Sequence, residues 1–163
     1  MLGRTLANTL LVVYYSKTET TKKMADEVSK GAKDTGANVT MKEVLDCTIT
    51  DLSSADGIAF GSPTHYSNMA WQSKKFLDEL VLEFYSQGHS LGGKPCGCFT
   101  STGTYDDGRE CLRMLELAFG GALKMSVVPG VILESGVVAQ GVLSECYNLG
   151  KRVAVQLSNN PCK

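Results

Sequence analysis

The sequence has 163 residues, 43% hydrophobic and 20% charged, and its 16 Lys and Arg nearly balance 17 Asp and Glu to give a formal net charge of -1 at pH 7. This length is typical of one domain with one sizeable core, so we expect a single domain over residues 1–163 with a flexible N-terminus over residues 1–8. The charge balance and short apolar stretches exclude a strongly basic nucleic-acid surface and a membrane span, and the short polar start is unlike a signal peptide, so we expect a cytoplasmic protein.

The first half of the chain alternates strand-length apolar runs with a stretch of helical period. Residues 9–15 form a nearly continuous run that contains two valines, which predicts a central buried strand. Residues 20–35 predict an amphipathic helix that ends at Gly36. Two further runs predict an edge strand over residues 39–44 and a short buried strand over residues 57–61.

The second half continues this alternation, with helices predicted over residues 71–85, 108–119 and 138–157 and strands over residues 95–100 and 127–133. Because proline cannot donate to the ladder, Pro129 places the last strand at the sheet edge or at a bulge. The helix over 108–119 is apolar on more than one side, so we expect it to form a contact in a homo-oligomer. The residues concerned are Leu112, Met114, Leu115 and Leu117.

Six cysteines occur in the chain, and we interpret them as reduced thiols because no secretion signal precedes them. The sequence contains no C-x-x-C pair and offers no ligand set at metal spacing, so we predict no metal site. Cys96 and Cys98 alternate within a predicted strand and are expected to be buried. Cys162, near the C-terminus, is the cysteine expected to be exposed and oxidisable.

The order of the predicted elements indicates an α/β fold. Strands that alternate with helices, joined by right-handed crossovers, favour a doubly wound three-layer sandwich around a five-stranded parallel sheet of order 2-1-3-4-5. In such a sheet, ligands bind beyond the carboxyl ends of the strands, at the switch point between strands one and three. The loops that follow strands one, three and four are therefore the candidate site.

The first of these loops is rich in hydroxyl groups and leads directly into a helix. Backbone N–H groups, hydroxyls and the helix dipole would converge there on an anion, which suits a phosphate group. A helix N-cap with additional threonines is an equally simple interpretation of the same segment. The candidate residues are Ser16, Lys17, Thr18, Thr20 and Thr21.

The second and third loops add aromatic, hydroxyl and imidazole groups. Two tyrosines on facing loops above a phosphate site suit a flat heterocycle, which stacking and backbone hydrogen bonds could hold. His65 is a candidate to contact a bound ring, with a solvated loop histidine as the alternative. The second loop contributes Pro63, Thr64, His65, Tyr66 and Asn68, and the third Ser101, Thr102, Gly103, Thr104, Tyr105 and Asp106.

Five short motifs, at residues 14–16, 60–64, 68–69, 76–78 and 101–104, resemble the flavodoxin superfamily, and within it the NAD(P)H:quinone reductases of the tryptophan-repressor-binding-protein type. The resemblance implies a flavodoxin-like fold with FMN as cofactor. It implies that the hydroxyls of the first loop hold the phosphate, that residues 64–66 line one side of the ring, and that residues 101–106 contact the ribityl chain and pyrimidine. One departure is Glu19, which stands where the family's phosphate loop has glycine.

The same resemblance implies an enzyme that passes two electrons from NAD(P)H through FMN to a quinone, with His65 as the catalytic contact. The alternative is a one-electron carrier that docks to a redox protein. Residues 63–69 contain no glycine and residues 61–75 no Asp or Glu, which favours the reductase. A signalling domain of the receiver type is disfavoured, because no aspartate cluster follows the first strand.

Overall fold

The computed structural model describes residues 8–135 and 140–159. Its strands are β1 (Thr9–Tyr14), β2 (Asn38–Glu43), β3 (Gly57–His65), β4 (Asn68–Met69), β5 (Pro95–Thr102) and β6 (Ser126–Glu134). Its helices are α1 (Thr20–Asp34), α2 (Ile49–Ser54), α3 (Trp71–Lys75), α4 (Leu82–Ser86), α5 (Tyr105–Glu116) and α6 (Gln140–Asn159). A π-helical segment, Phe76–Val81, joins α3 to α4, and a second one, Leu117–Ala122, extends α5.

Five parallel strands form the sheet in the order β2-β1-β3-β5-β6, which confirms the predicted doubly wound order. The two-residue strand β4 folds back on the end of β3 and pairs with it antiparallel. Alternate residues of β1 supply the two faces, with Leu11 and Val13 in one core and Leu10 and Val12 in the other. The sheet is therefore covered on both sides, as a run without polar alternation requires.

Each face has its own core. On one face, residues of α2, α4, α5 and the two π-helical segments pack around Phe60, whose ring centroid lies 5.3 Å from that of Phe76 and 4.9 Å from that of Phe119. On the other face, α1 and α6 pack around Phe99. The predicted three layers are thus confirmed.

The edge strand β6 contains the predicted irregularity at Pro129. Gly97 pairs with Val128 and Phe99 pairs with Val131, so β6 places one extra residue in the ladder between these pairs. The proline therefore lies both on an edge strand and at a bulge, where its missing N–H removes no ladder hydrogen bond.

Several boundaries differ from the sequence predictions. The prediction missed α2, in which only Leu52 is buried and no helical period is visible, although Thr48 and Asp51 form a capping box. The strand β3 extends four residues past the predicted end because its last residues pair with β4. Similarly, α5 begins three residues before the predicted start at Gly108.

Residues 1–7, positions 138–139 of the predicted last helix, and Cys162 lie outside the described residues. Asn8, the last residue of the expected flexible N-terminus, donates from its amide to the Leu157 carbonyl at 2.7 Å. The other five cysteines are free and buried, as predicted. Among the described residues there is no cluster of metal ligands, and no described helix is long and apolar enough to cross a membrane.

The apolar character of α5 is only partly explained by the core. Leu115 is fully buried, so it cannot join the predicted contact between copies of the chain. Met114 and Leu117 remain 38% and 50% exposed. The homo-oligomeric contact of this helix stays a prediction, and these two side chains are the ones it would use.

Candidate functional site

The loop between β1 and α1 presents donors at the start of a helix. The Lys22 N–H donates to Ser16 Oγ at 3.2 Å, and the Lys23 N–H donates to the Glu19 carbonyl at 3.0 Å. The N–H groups of Thr20 and Thr21, which start the helix, have no intrahelical acceptor. They are therefore free to donate to an anion, which the helix dipole also favours.

The first turn of α1, which follows this loop, is tied to the carboxyl end of β5. The hydroxyls of Thr21 and Ser101 lie 2.8 Å apart in a buried hydrogen bond, across 80 positions of sequence. Both residues are predicted cofactor contacts, and the bond holds the first and third loops against each other.

Glu19 adopts the left-handed conformation, with φ 64°. A residue with a Cβ pays roughly 1–2 kcal/mol there, which is why glycine is common at such positions. The Glu19 side chain is 68% exposed and its carboxylate lies 3.4 Å from Lys22 Nζ. Its negative charge raises the pKa of Lys22. The carboxylate thus faces solvent and a cation.

The second loop is a tight hairpin between β3 and β4. His65 pairs with Asn68, and the two residues between them, Tyr66 and Ser67, have φ values of 50° and 62°. Two consecutive left-handed residues are typical of a type I′ turn, in which Asn and Gly are the usual residues. The Tyr66 side chain at its tip is fully exposed.

Asp107, in the first turn of α5, connects this hairpin to the third loop. The Ser67 hydroxyl donates to one carboxylate oxygen of Asp107, and the Thr104 hydroxyl donates to the other at 2.8 Å. These two hydrogen bonds stabilise the ionised form and lower the pKa of Asp107. The sequence did not predict this contact, because Ser67 is 40 positions away from Asp107.

Hydroxyl groups also form the floor of the site. Thr64 and Thr100 hydroxyls lie 2.9 Å apart, and the Thr100 hydroxyl contacts the Ser62 carbonyl at 2.7 Å. Above the floor, a Cβ built on Gly103 would meet no atom within 4 Å, so open space surrounds the backbone there. A flat ligand could approach the main chain closely at Gly103.

Together the loops enclose a cleft of about 210 Å³. Nine predicted site residues line it: Lys17, Thr18, Thr20, Pro63, Thr64, His65, Ser101, Thr102 and Gly103. Leu133 and Ser135, which the sequence analysis missed, line it as well. The rule that ligands bind beyond the carboxyl ends of the strands also predicts these two residues, because they lie at the carboxyl end of β6, the neighbour of β5.

The remaining predicted residues do not line this cleft. Ser16 and Thr21 support it through the hydrogen bonds described above, and Asn68 accepts a bond from the Met69 N–H at 2.8 Å. Tyr105 lines a separate cleft with Leu112, Val131 and Val142. The side chain of Asp106 is 88% exposed and lies 3.7 Å from Arg109.

The donor set of the cleft fits FMN. Unpaired helix-start amides and several hydroxyls lie together at the end formed by the first loop, which suits a phosphate, while Gly103 leaves room for a planar group. Among the described residues that line the cleft none is Asp or Glu, and the ionisable side chains are Lys17 and His65. The cleft is therefore suited to an anionic ligand.

A wider groove of about 770 Å³ runs along α1 and α6, beside Lys30 and Tyr147. It lies on a helical face, away from the carboxyl ends of the strands. None of the predicted site residues lines it, and we assign it no role.

Comparison with known protein families shows what the chain is similar to. Residues 12–126 match the family model described as Flavodoxin. The chain is 33% identical to a flavodoxin from Aquifex aeolicus, with 89% of this chain and 84% of that protein covered. It is 36% identical to the quinone oxidoreductase QR2 of Triphysaria versicolor and 34% identical to NAD(P)H dehydrogenase (quinone) 3 of Rhizobium meliloti.

These two quinone reductases are longer than the region that matches. The match covers 64% and 62% of this chain, and 60% and 56% of the two reductases. Among solved structures, a flavodoxin WrbA-like protein from Agrobacterium tumefaciens superposes with a TM-score of 0.79 at 27% identity, covering 94% of this chain and 99% of the other. An archaeal flavodoxin gives 0.78 at 25% identity, covering 92% and 99%.

Proposed function

Because the chain belongs to the flavodoxin family, whose cofactor FMN it binds, we propose that it is an oxidoreductase that transfers two electrons from NAD(P)H through FMN to a quinone or similar acceptor. Relatives named as quinone oxidoreductases support this assignment. FMN supplies the chemistry, since a bound flavin accepts hydride and releases electrons. The protein supplies the binding, the orientation and the electrostatic environment.

The charge of the cleft is the observation that carries the proposal. A flavin that takes up two electrons gains negative charge, which carboxylates nearby would oppose and cations would favour. Lys17 and His65 line the cleft, and no Asp or Glu is among the described residues that line it. This environment favours transfer of electrons in pairs.

The proposed roles of the residues follow from their positions. Thr18, Thr20 and the free helix-start N–H groups hold the phosphate, with Lys17 beside them. Thr64 and His65 lie on the hairpin side of the cleft, and the segment from Ser101 to Gly103 lies opposite. The His65 imidazole is the group placed to contact the flavin or the acceptor.

An anaerobic reduction experiment tests the proposal. The FMN-loaded protein would be reduced stepwise and followed by absorbance, and then NADH, NADPH and benzoquinone would be tested for turnover. We expect quinone-dependent oxidation of NAD(P)H, with little of the blue one-electron-reduced flavin. A large blue band without quinone-dependent oxidation would reject the reductase.

A second candidate is a flavodoxin-type one-electron carrier that docks to a redox protein. The chain matches the Aquifex aeolicus flavodoxin over most of both proteins, whereas it matches only about 60% of the quinone reductases. The carboxylate of Asp107, bonded to the hairpin, also places one negative charge beside the cleft. The absorbance titration distinguishes the two functions.

A further inference from the structure

The hairpin beside the cofactor cleft holds a conformation that its own residues disfavour. Tyr66 and Ser67 are both left-handed, and neither is glycine or asparagine. Conformations of this kind persist when the surrounding structure holds them, and they are often found at ligand sites. A hydrogen bond from the Ser67 hydroxyl to Asp107 links the tip of this hairpin to α5.

We propose that Asp107 is a positioning residue for the cofactor, which acts by holding the turn at Ser67 and thereby fixing His65 against the cleft. His65 lies directly before the turn, pairs with Asn68 across it, and lines the cleft. If the turn relaxed, this pairing and the position of His65 would be lost. The proposal rests on the proposed function in that FMN occupies the cleft.

The expected change in the Kd for FMN depends on the fraction of molecules in which the turn is left-handed and the cleft can bind FMN. Without the hydrogen bond, a fraction of the protein leaves the left-handed turn, and the apparent Kd for FMN rises in inverse proportion to the fraction that remains competent. Loss of one hydrogen bond to a charged group shifts the equilibrium between the left-handed and the relaxed turn roughly ten-fold.

A glycine at position 67 separates this role from any direct effect of the carboxylate. Ser67→Ala removes the donor and keeps the backbone strain, whereas Ser67→Gly removes both, because glycine adopts positive φ freely. We expect Ser67→Ala to weaken FMN binding roughly ten-fold and Ser67→Gly to remain within about two-fold of the unchanged protein. Flavin fluorescence quenching on titration of the apoprotein gives each Kd.

The decisive comparison is Asp107→Ala in two backgrounds. It should weaken FMN binding roughly ten-fold in the unchanged protein and have little effect in Ser67→Gly, where no hydrogen bond remains to be lost. Glu110→Ala is the matched control, because Glu110 is an acidic residue one turn further along the same helix that pairs with Arg113 at the surface. We expect it to leave the Kd unchanged, and urea unfolding of each apoprotein measures any loss of fold separately.

Equal weakening by Asp107→Ala in both backgrounds would overturn the proposal, since the carboxylate would then act on the helix or the cofactor directly. No weakening in either background would overturn it as well. Failure of the proposed function would be distinct: the protein would bind FMN with measurable Kd values but would not oxidise NAD(P)H with a quinone.

Discussion

At the scale of single residues, substitution of Glu19 tests how much its left-handed backbone lowers the stability of the protein. It is left-handed, exposed and beside Lys22. We expect Glu19→Gly to raise the free energy of unfolding by about 1 kcal/mol, because glycine removes the steric cost of positive φ. Urea unfolding of the apoprotein measures this change.

The variant Glu19→Gln is the control for charge at the same position. It keeps the strain and loses only the exposed ion pair with Lys22, which is worth little. We therefore expect it to leave the stability of the apoprotein nearly unchanged. Equal stabilisation by Gln and Gly would show that charge, and not backbone strain, is the cost at this position.

Ser16 tests whether the first loop holds the phosphate. Its Oγ accepts the Lys22 N–H at 3.2 Å and its own O–H remains available to an anion. We expect Ser16→Ala to weaken FMN binding roughly ten-fold and riboflavin binding far less, since riboflavin has no phosphate. Calorimetric titration with both ligands gives the comparison.

A matched control for Ser16 lies at the other end of the same helix. Thr35→Ala removes a hydroxyl that donates to the Gly31 carbonyl at 2.9 Å, far from the cleft. It should leave both Kd values unchanged. If Ser16→Ala weakened riboflavin as much as FMN, the loop would not be the phosphate site.

The sequence predicted those site residues whose role depends on local position. Thr18, Thr64 and Gly103 each follow the predicted end of a strand, and the carboxyl-end rule finds them without any knowledge of contacts. Asp107 could not be found in that way, because its role depends on Ser67 across the cleft. Tyr105 follows a strand end too, but α5 begins at this residue and carries its side chain to another cleft.

At the scale of elements, hydrophobic patterning predicted the helices and strands that bury apolar side chains in the two cores. The sheet strands and long helices have continuous or periodic apolar residues, and their order emerged from the alternation. By contrast, α2 buries only Leu52, and β4 is two residues long, so neither has a pattern. The hydrophobic pattern did not reveal the π-helical segments either. In the first of them Phe76 and Val81 are buried, and the prediction of one continuous helix buries them too.

The contact between α1 and α6 depends on two glycines. A Cβ on Gly150 would lie 2.0 Å from the Val28 carbonyl oxygen, and one on Gly31 would lie 1.9 Å from the Tyr147 carbonyl oxygen. These neighbours are backbone atoms and cannot move aside without moving a helix. We expect Gly150→Ala to lower the free energy of unfolding by about 3 kcal/mol or more, measured by urea unfolding.

Gly141 provides the matched control in the same helix. A Cβ there would meet no atom within 4 Å, so Gly141→Ala should be neutral or stabilise the protein by up to about 1 kcal/mol through helix propensity. Unchanged stability in Gly150→Ala would mean that the two helices can separate at no cost, contrary to the close packing of their backbones.

At the scale of the whole molecule, the sheet separates two cores that share no side chains, and each contains a buried thiol. Cys111 of α5 lies in one core, and Cys146 of α6 lies in the other. Burial raises the pKa of Cys146 to about 12 and raises that of Cys111. Since the thiolate is the reactive form, neither should be alkylated at pH 8 until the protein opens.

We expect the two thiols to be alkylated at the same rate, because both cores depend on one sheet and should open together. FMN then provides the sharper test, since a ligand of the native state reduces the open population by the factor 1 + [FMN]/Kd, about a hundred-fold at 100 times Kd. Cys111 lies just below the cleft, in contact with the Thr100 hydroxyl at 3.4 Å, whereas Cys146 lies on the opposite face. Iodoacetamide labelling followed by peptide mass spectrometry should show equal slowing at both positions. If FMN slowed Cys111 alone, the two faces would open independently, and cofactor binding would stabilise only the core beneath its own loops.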